Sequence, residues 1–299
     1  HEYAKTGEYR HRLMSDALKI LVNAWYGYLG LRTSRVFSKE LAEEVTKTGR
    51  ECIKILVSYL TKLKLPVIYA DTDSVFIYFD KRPSNLDLWM RQFEKILSNH
   101  VSKELGFQIT LEADKFFSKI YFPAIASRTR AAKKKYAGIV IWEKGKSIEP
   151  KMVMTGMEAI RSDYPEAARK LQKELVKMMF DGDDGMTDFI EGFRKLLFGG
   201  QIPIEELALS KEIRKLEYKT RPPHVKAAEI ARSRYGVMVM PGDKVMYVMT
   251  KRGAWPIVDG ANDIPEIDAN YYWNRVFKPL IERTVGDKIR RDNLDMFLG

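Results

Sequence analysis

The stretch Tyr69-Ala70-Asp71-Thr72-Asp73-Ser74 holds the deciding pattern. Pro66-Val67-Ile68 leads into it and Val75-Phe76-Ile77-Tyr78-Phe79 leads out. These β-branched and aromatic flanks read as two short strands joined by a tight turn. The hairpin then carries two carboxylates at its tip. Packing gives no reason for them, because charges beside buried strands are costly unless paired or bound to metal. Asp71 and Asp73, two positions apart on a rigid turn, can present oxygens to a hard divalent cation. Magnesium takes one or two carboxylates and keeps its other positions for water and phosphate. Asp and Thr are also good turn residues, so an ordinary hairpin turn is the competing explanation.

Around that hairpin the chain has 299 residues, 45% of them hydrophobic, enough for two modest domains. Its net charge is +11, which points to a polyanion partner, nucleic acid first. The charge is concentrated. Residues 119–151 hold nine Lys/Arg against two acids, and residues 211–252 hold eleven against four. The single cysteine, Cys52, excludes an internal disulfide and a cysteine-based zinc cluster, and its helical apolar context reads as core. With no signal peptide and no long apolar run, the sequence reads as cytoplasmic, nucleoid-associated if prokaryotic, with no membrane partner. His1 in place of Met reads as a processed, cloned or cleaved piece of something longer.

Apolar periodicity predicts helices over 8–29 and 38–63, the hairpin over 66–80, and a helix over 86–105 opened by Pro83-Ser84-Asn85. Residues 107–127 and Tyr136 to Trp142 read as strands. Beyond about 150 the pattern becomes helices broken by Gly, Pro and Asp, over 163–180, 186–198, 203–216, 223–233 and 268–285, with a strand-like run from Lys244 to Thr250. The fold class is α+β.

Three more clusters carry chemistry. In Lys19-Ile20-Leu21-Val22-Asn23-Ala24-Trp25-Tyr26-Gly27, Lys19 and Asn23 are i and i+4 and share a helix face with Tyr26 and Arg12. Such a face, opposite Leu18, Leu21, Val22 and Trp25, suits a nucleoside triphosphate: the ammonium meets phosphate charge, the amide bonds phosphate oxygen, and the ring lies against sugar or base. An ordinary amphipathic helix is the alternative. In Lys133-Lys134-Lys135-Tyr136-Ala137-Gly138, strand alternation would project Lys134 and Tyr136 together toward a duplex backbone, giving register without sequence reading. Lys219, Arg221 and Lys226 surround a Pro-Pro-His run and are further candidates for phosphate contacts, while His224 reads as a cap or packing residue.

These motifs together resemble family B DNA polymerases of archaeal type. Tyr69–Ser74 resembles motif C of the palm, and Lys19–Gly27 resembles motif B of the fingers, with Ala24 where many members carry Ser. Lys133–Gly138 resembles the KKxYAG motif between palm and thumb. Thr155–Tyr164 and Tyr218–Ala228 are similar to thumb segments. The resemblance implies a fingers helix over 1–30, the later palm over 31–135, and a mostly helical thumb with a C-terminal tail over 136–299. It implies catalytic, metal-binding Asp71 and Asp73, with two magnesium ions shared with a partner aspartate. Lys19, Asn23 and Tyr26 would bind the incoming dNTP. Lys133, Lys134, Tyr136, Lys219, Arg221 and Lys226 would hold primer-template DNA. Glu112 is a further candidate ligand, with a salt bridge to a nearby lysine as the blander alternative. Leu294, Phe297 and Leu298 at i, i+3, i+4 resemble a tail that docks on a sliding clamp, although Arg291 stands where Gln is usual, and a tail helix packed on its own domain is the alternative.

Motif A, the exonuclease carboxylates and the first fingers helix of that family are not found in the sequence. Clamping two metals about 3.5–4 Å apart needs a further carboxylate. The expectation is therefore the small, C-terminal subunit of a split polymerase, completed by an N-terminal subunit with motif A and the exonuclease. A cloned or proteolysed piece of a single-chain enzyme also accounts for this. A non-catalytic, polymerase-derived DNA- or clamp-binding scaffold is the alternative function.

Overall fold

A computed structural model describes residues 9–123, 132–215 and 218–286. The chain forms two compact units, His1–Asp114 and Lys115–Gly299.

The first unit is built from α1 (Tyr9–Gly30), α2 (Lys39–Lys62), the antiparallel hairpin β1 (Val67–Asp71) and β2 (Ser74–Ile77), and α3 (Leu86–Leu105). Local chemistry sets the helix starts. Ser38 Oγ accepts from Leu41 N at 3.3 Å, and Asn85 Oδ1 accepts from Leu88 N at 3.0 Å, each satisfying an orphan donor of a first turn. Gly106, left-handed, closes α3. Cys52, Leu56 and Leu60 recur every four residues along α2 and meet Leu97 and Val101 of α3. Val67, Val75 and Ile77 of the hairpin pack onto the same cluster. Leu60 and Val101 are completely enclosed, each such burial stabilising by about 1.5–3 kcal/mol.

Residues 107–114 are extended but pair with no strand. They lie along α3 through side chains spaced four apart. Ser102 Oγ accepts from Ile109 N at 2.9 Å, Ser98 Oγ accepts from Leu111 N at 2.9 Å, and Glu94 Oε1 accepts from Ala113 N at 2.7 Å. Both serines also donate back to the carbonyls of the residues they bind. Of the strand expected over 107–127, Lys115–Tyr121 forms, and 124–127 lie outside the described residues. An extended segment alternates its sides, so Ile109 and Leu111 enter the core while Glu112 faces out.

Among its described residues the second unit holds two three-stranded antiparallel sheets. The first has the order β3 (Lys115–Tyr121), β4 (Tyr136–Glu143), β5 (Lys146–Thr155). Helices α4 (Glu166–Asp181), α5 (Met186–Phe198) and the single turn α6 (Ile204–Leu207) follow. The second sheet has the order β6 (Leu209–Glu212), β7 (Lys244–Thr250), β8 (Gly253–Pro256), with α7 (Pro223–Tyr235) between β6 and β7 in sequence. The predicted helix over 203–216 stops at Leu207, because Leu209–Glu212 pairs with Lys244–Tyr247 instead. Cross-strand partners outweigh local helix propensity there.

The C-terminal helical run starts as α8 (Ala269–Tyr272), widens into a π turn over Trp273–Phe277 and continues as α9 (Lys278–Val285). Pro279 explains the widening: it lacks an N–H and its ring crowds the preceding turn. Leu171 and Leu175 of α4, with Tyr272, Trp273, Phe277, Leu280 and Ile281 from this run, form the main core.

Candidate functional site

The carboxylate hairpin forms as the sequence predicts. Asp71 pairs with Ser74, leaving Thr72-Asp73 as a two-residue loop. Thr72 takes a left-handed φ of 44°, which a two-residue hairpin turn demands and a β-branched residue resists. Its hydroxyl donates to Asp71 Oδ1 at 3.1 Å, and Ser74 Oγ donates to the Asp71 carbonyl at 3.3 Å. Tyr69 and Phe76, direct cross-strand partners, meet edge to face at 5.5 Å, a pair that stiffens the ladder. Asp71 is half-buried and Asp73 is exposed at the tip.

These are hard oxygen donors on a stiff turn, the donor type magnesium selects. Two carboxylates supply part of an octahedral shell. Among the described residues no cluster of three or more Asp, Glu, His or Cys side chains is placed to hold a metal. Glu112 is exposed on the outer side of the 107–114 segment and does not join the two aspartates in such a group.

On α1 the stripe Arg12, Lys19, Asn23 and Tyr26 is exposed. The opposite face is exposed too, with Leu18, Leu21, Val22 and Trp25 each more than half accessible. The helix is thus regular, with both its polar and its apolar sides open within its unit.

In the basic segment, Lys133 and Lys134 occupy a turn and the strand starts at Tyr136. Lys134 has a φ of +58°, so the strand alternation expected to align Lys134 with Tyr136 does not operate. Both lysines are exposed nonetheless. Tyr136 packs edge-on against Phe117 at 6.0 Å. Lys135 points the other way, its ammonium 2.8 Å from Glu158 Oε1.

Lys219, Arg221 and Lys226 are exposed near the start of α7. Arg221 lies 3.7 Å from Glu229 in a solvent-facing pair that costs little to exchange for a phosphate. His224 is 5% exposed and meets Tyr218 edge to face. Burial and the charge of Lys211 hold its imidazole below the ordinary value, in keeping with a packing role. Cys52 is buried in α2, and that burial pushes its thiol up. No helix among the described residues is long and apolar enough to cross a membrane. Leu294, Phe297 and Leu298 lie outside the described residues.

The chain matches known proteins over most of its length. The profile of DNA polymerase family B covers residues 11–285. The chain belongs to this family. It is similar to DNA polymerase 2 of Aeropyrum pernix, 32% identical over 272 residues, covering 88% of this chain and 30% of that protein. It is also similar to the DNA polymerase delta catalytic subunit of Schizosaccharomyces pombe, 32% identical over 297 residues, covering 91% of this chain and 26% of that one. The solved family B DNA polymerase of the hyperthermophilic archaeon Pyrobaculum calidifontis aligns with a TM-score of 0.61 at 27% identity, over 93% of this chain and 34% of that structure. The chain spans about a third of the length of the relatives it matches.

Proposed function

We propose that this chain is the C-terminal part of a DNA-directed DNA polymerase. In the assembled enzyme it adds deoxynucleotides to a primer 3′ end, working with a motif A aspartate that lies outside residues 1–299. The observation that carries this reading is the hairpin itself: Asp73 exposed at the apex of a two-residue turn, and Asp71 tethered beside it. Asp73 is exposed there, so its carboxylate is open to a ligand.

Asp71 and Asp73 would hold magnesium together with the motif A aspartate. When bound, the metal neutralises charge on the transferring phosphoryl group. The primer 3′-hydroxyl attacks the α-phosphate of the dNTP and pyrophosphate leaves. Lys19 binds and offsets triphosphate charge, Asn23 orients a phosphate oxygen, and Tyr26 lies against the nascent base pair. Positioning and electrostatic stabilisation supply most of the acceleration in such transfers. Lys133, Lys134, Tyr136, Lys219, Arg221 and Lys226 grip the duplex backbone without reading sequence.

Support comes from family membership over nearly the whole chain, from the exposed Lys19/Asn23/Tyr26 stripe, and from the basic turn. The test is primer extension by the chain assembled with the polymerase part that carries motif A. Asp73→Ala is expected to lower the rate by at least about a hundredfold, the scale of losing one preorganised charge-stabilising group. A loss below about threefold would refute the assignment.

A further inference from the structure

The carboxylate of Glu158 is the most deeply enclosed charge among the described residues, with only 5% of its side chain accessible. It follows β5 on the short 3-10 turn Glu158–Ile160. Its Oε1 accepts from Lys135 Nζ at 2.8 Å and lies 3.5 Å from Arg283 Nε. Its Oε2 accepts from Gln172 Nε2 at 2.9 Å. Gln172, itself buried, accepts from Ala159 N at 2.6 Å and donates to Thr284 Oγ1 at 3.0 Å. One carboxylate thus ties the basic turn to α4 and α9. Buried ion pairs add little net stability over apolar packing, because desolvation offsets the attraction. What such a pair does fix is direction.

A second observation falls on the same turn. Lys134 is left-handed, and its carbonyl sits directly over Gly156, also left-handed at φ +64°. A Cβ at position 156 would fall 2.0 Å from that carbonyl oxygen. The turn is therefore seated on Gly156 from one side and pulled inward through Lys135 from the other. Of three consecutive lysines, one is turned in and two are left exposed.

We propose that Glu158 is a positioning residue for duplex DNA: by drawing Lys135 inward over Gly156 it aims Lys133 and Lys134 at the phosphate backbone. This rests on the reading of those two lysines as duplex contacts. Glu158 touches no DNA itself. Its effect on binding must pass through Lys133 and Lys134, and a residue that merely stabilised the unit would show no such dependence.

The test is a double-mutant cycle on the full 299-residue chain, read by fluorescence anisotropy of a labelled primed DNA duplex over a salt series. Lys133→Ala/Lys134→Ala is expected to weaken binding and to reduce the salt slope by about two. Glu158→Gln keeps the shape and removes the charge. It is expected to weaken binding about five- to tenfold in the parent chain and less than about twofold in the double-lysine variant, a coupling of the size seen between residues in one network. Equal losses in both backgrounds, or no loss in the parent chain, would overturn the proposal. Should Glu158→Gln fail to fold, Gly156→Ala keeps every charge and displaces the Lys134 carbonyl, and it runs the same cycle under the same criteria. If Lys133→Ala/Lys134→Ala leaves both affinity and salt slope unchanged, the duplex-contact reading itself falls and the proposal with it, a result distinct from equal losses.

Discussion

Tyr272→Phe deletes one oxygen atom from the centre of the second unit. Tyr272 is completely enclosed, and its hydroxyl joins two chain segments. It donates to the Leu207 carbonyl at 2.8 Å, at the end of α6, and accepts from Met249 N at 3.0 Å, on β7. Burial pushes the phenol well above the usual tyrosine range. Phenylalanine fits the same space, leaving a void of one oxygen and two stranded backbone groups. Each buried group without a partner costs about 1–3 kcal/mol. With partial relaxation the expected loss is about 2–4 kcal/mol. Urea unfolding followed by tryptophan fluorescence reads it directly, since Trp255 and Trp273 lie in the same core. The midpoint should fall at constant slope, the mark of a change in stability alone. The neighbouring half-buried Tyr271 is the control, with Tyr271→Phe expected within about 0.5 kcal/mol. A loss below about 0.5 kcal/mol for Tyr272→Phe would refute the reasoning.

Gly138→Ala would set a Cβ 2.5 Å from the Phe117 ring and 2.9 Å from the Lys119 carbonyl. Overpacking of this kind should cost about 1–3 kcal/mol, and an unchanged melting temperature would contradict the close approach of β3 and β4. Acid should weaken the second unit through Glu158: burial alone raises its carboxyl, but hydrogen bonds from Lys135 and Gln172 hold it below its ordinary 4.5. A depressed carboxylate stabilises above its unfolded value and loses that contribution as pH falls through the folded one. Melting temperature should therefore drop below about pH 4.5, more steeply for the parent chain than for Glu158→Gln; parallel curves would exclude the linkage. Lys19→Ala in the assembled polymerase should raise the KM for dNTP about tenfold, as expected for a lost charge-assisted phosphate contact. An unchanged KM would remove Lys19 from the triphosphate site.

Elements written in local chemistry were legible in the sequence. Ser38 and Asn85 announce α2 and α3 because a capping oxygen acts within three residues, and the hairpin is declared by its β-branched flanks. The reading fails where partners are distant in sequence. Leu209–Glu212 has helical neighbours on its N-terminal side and becomes a strand only because β7, more than thirty residues later, offers a ladder. Residues 109–113 alternate like a strand but find their donors and acceptors on Glu94, Ser98 and Ser102 of a helix. Lys134 illustrates the same limit within a motif. Its residue type is readable, but its left-handed turn depends on Gly156, which arrives only when β5 folds back on β4. Glu158 carries no spacing signal beyond being an acid between Met157 and Ala159 in a mostly apolar run.

The hairpin that carries Asp71 and Asp73 is a two-stranded ribbon, and a ribbon alone is marginal in water. One face of it packs onto the cluster that holds Leu60 and Val101, while Ile68 on the other is open. Accuracy at the aspartates is thus borrowed from a helix pair beneath them. Cavity-forming changes at Leu60 or Val101, remote from any phosphate, would loosen the apex before they unfold the unit. The geometry of the carboxylate tip would then be limited by aliphatic packing beneath it.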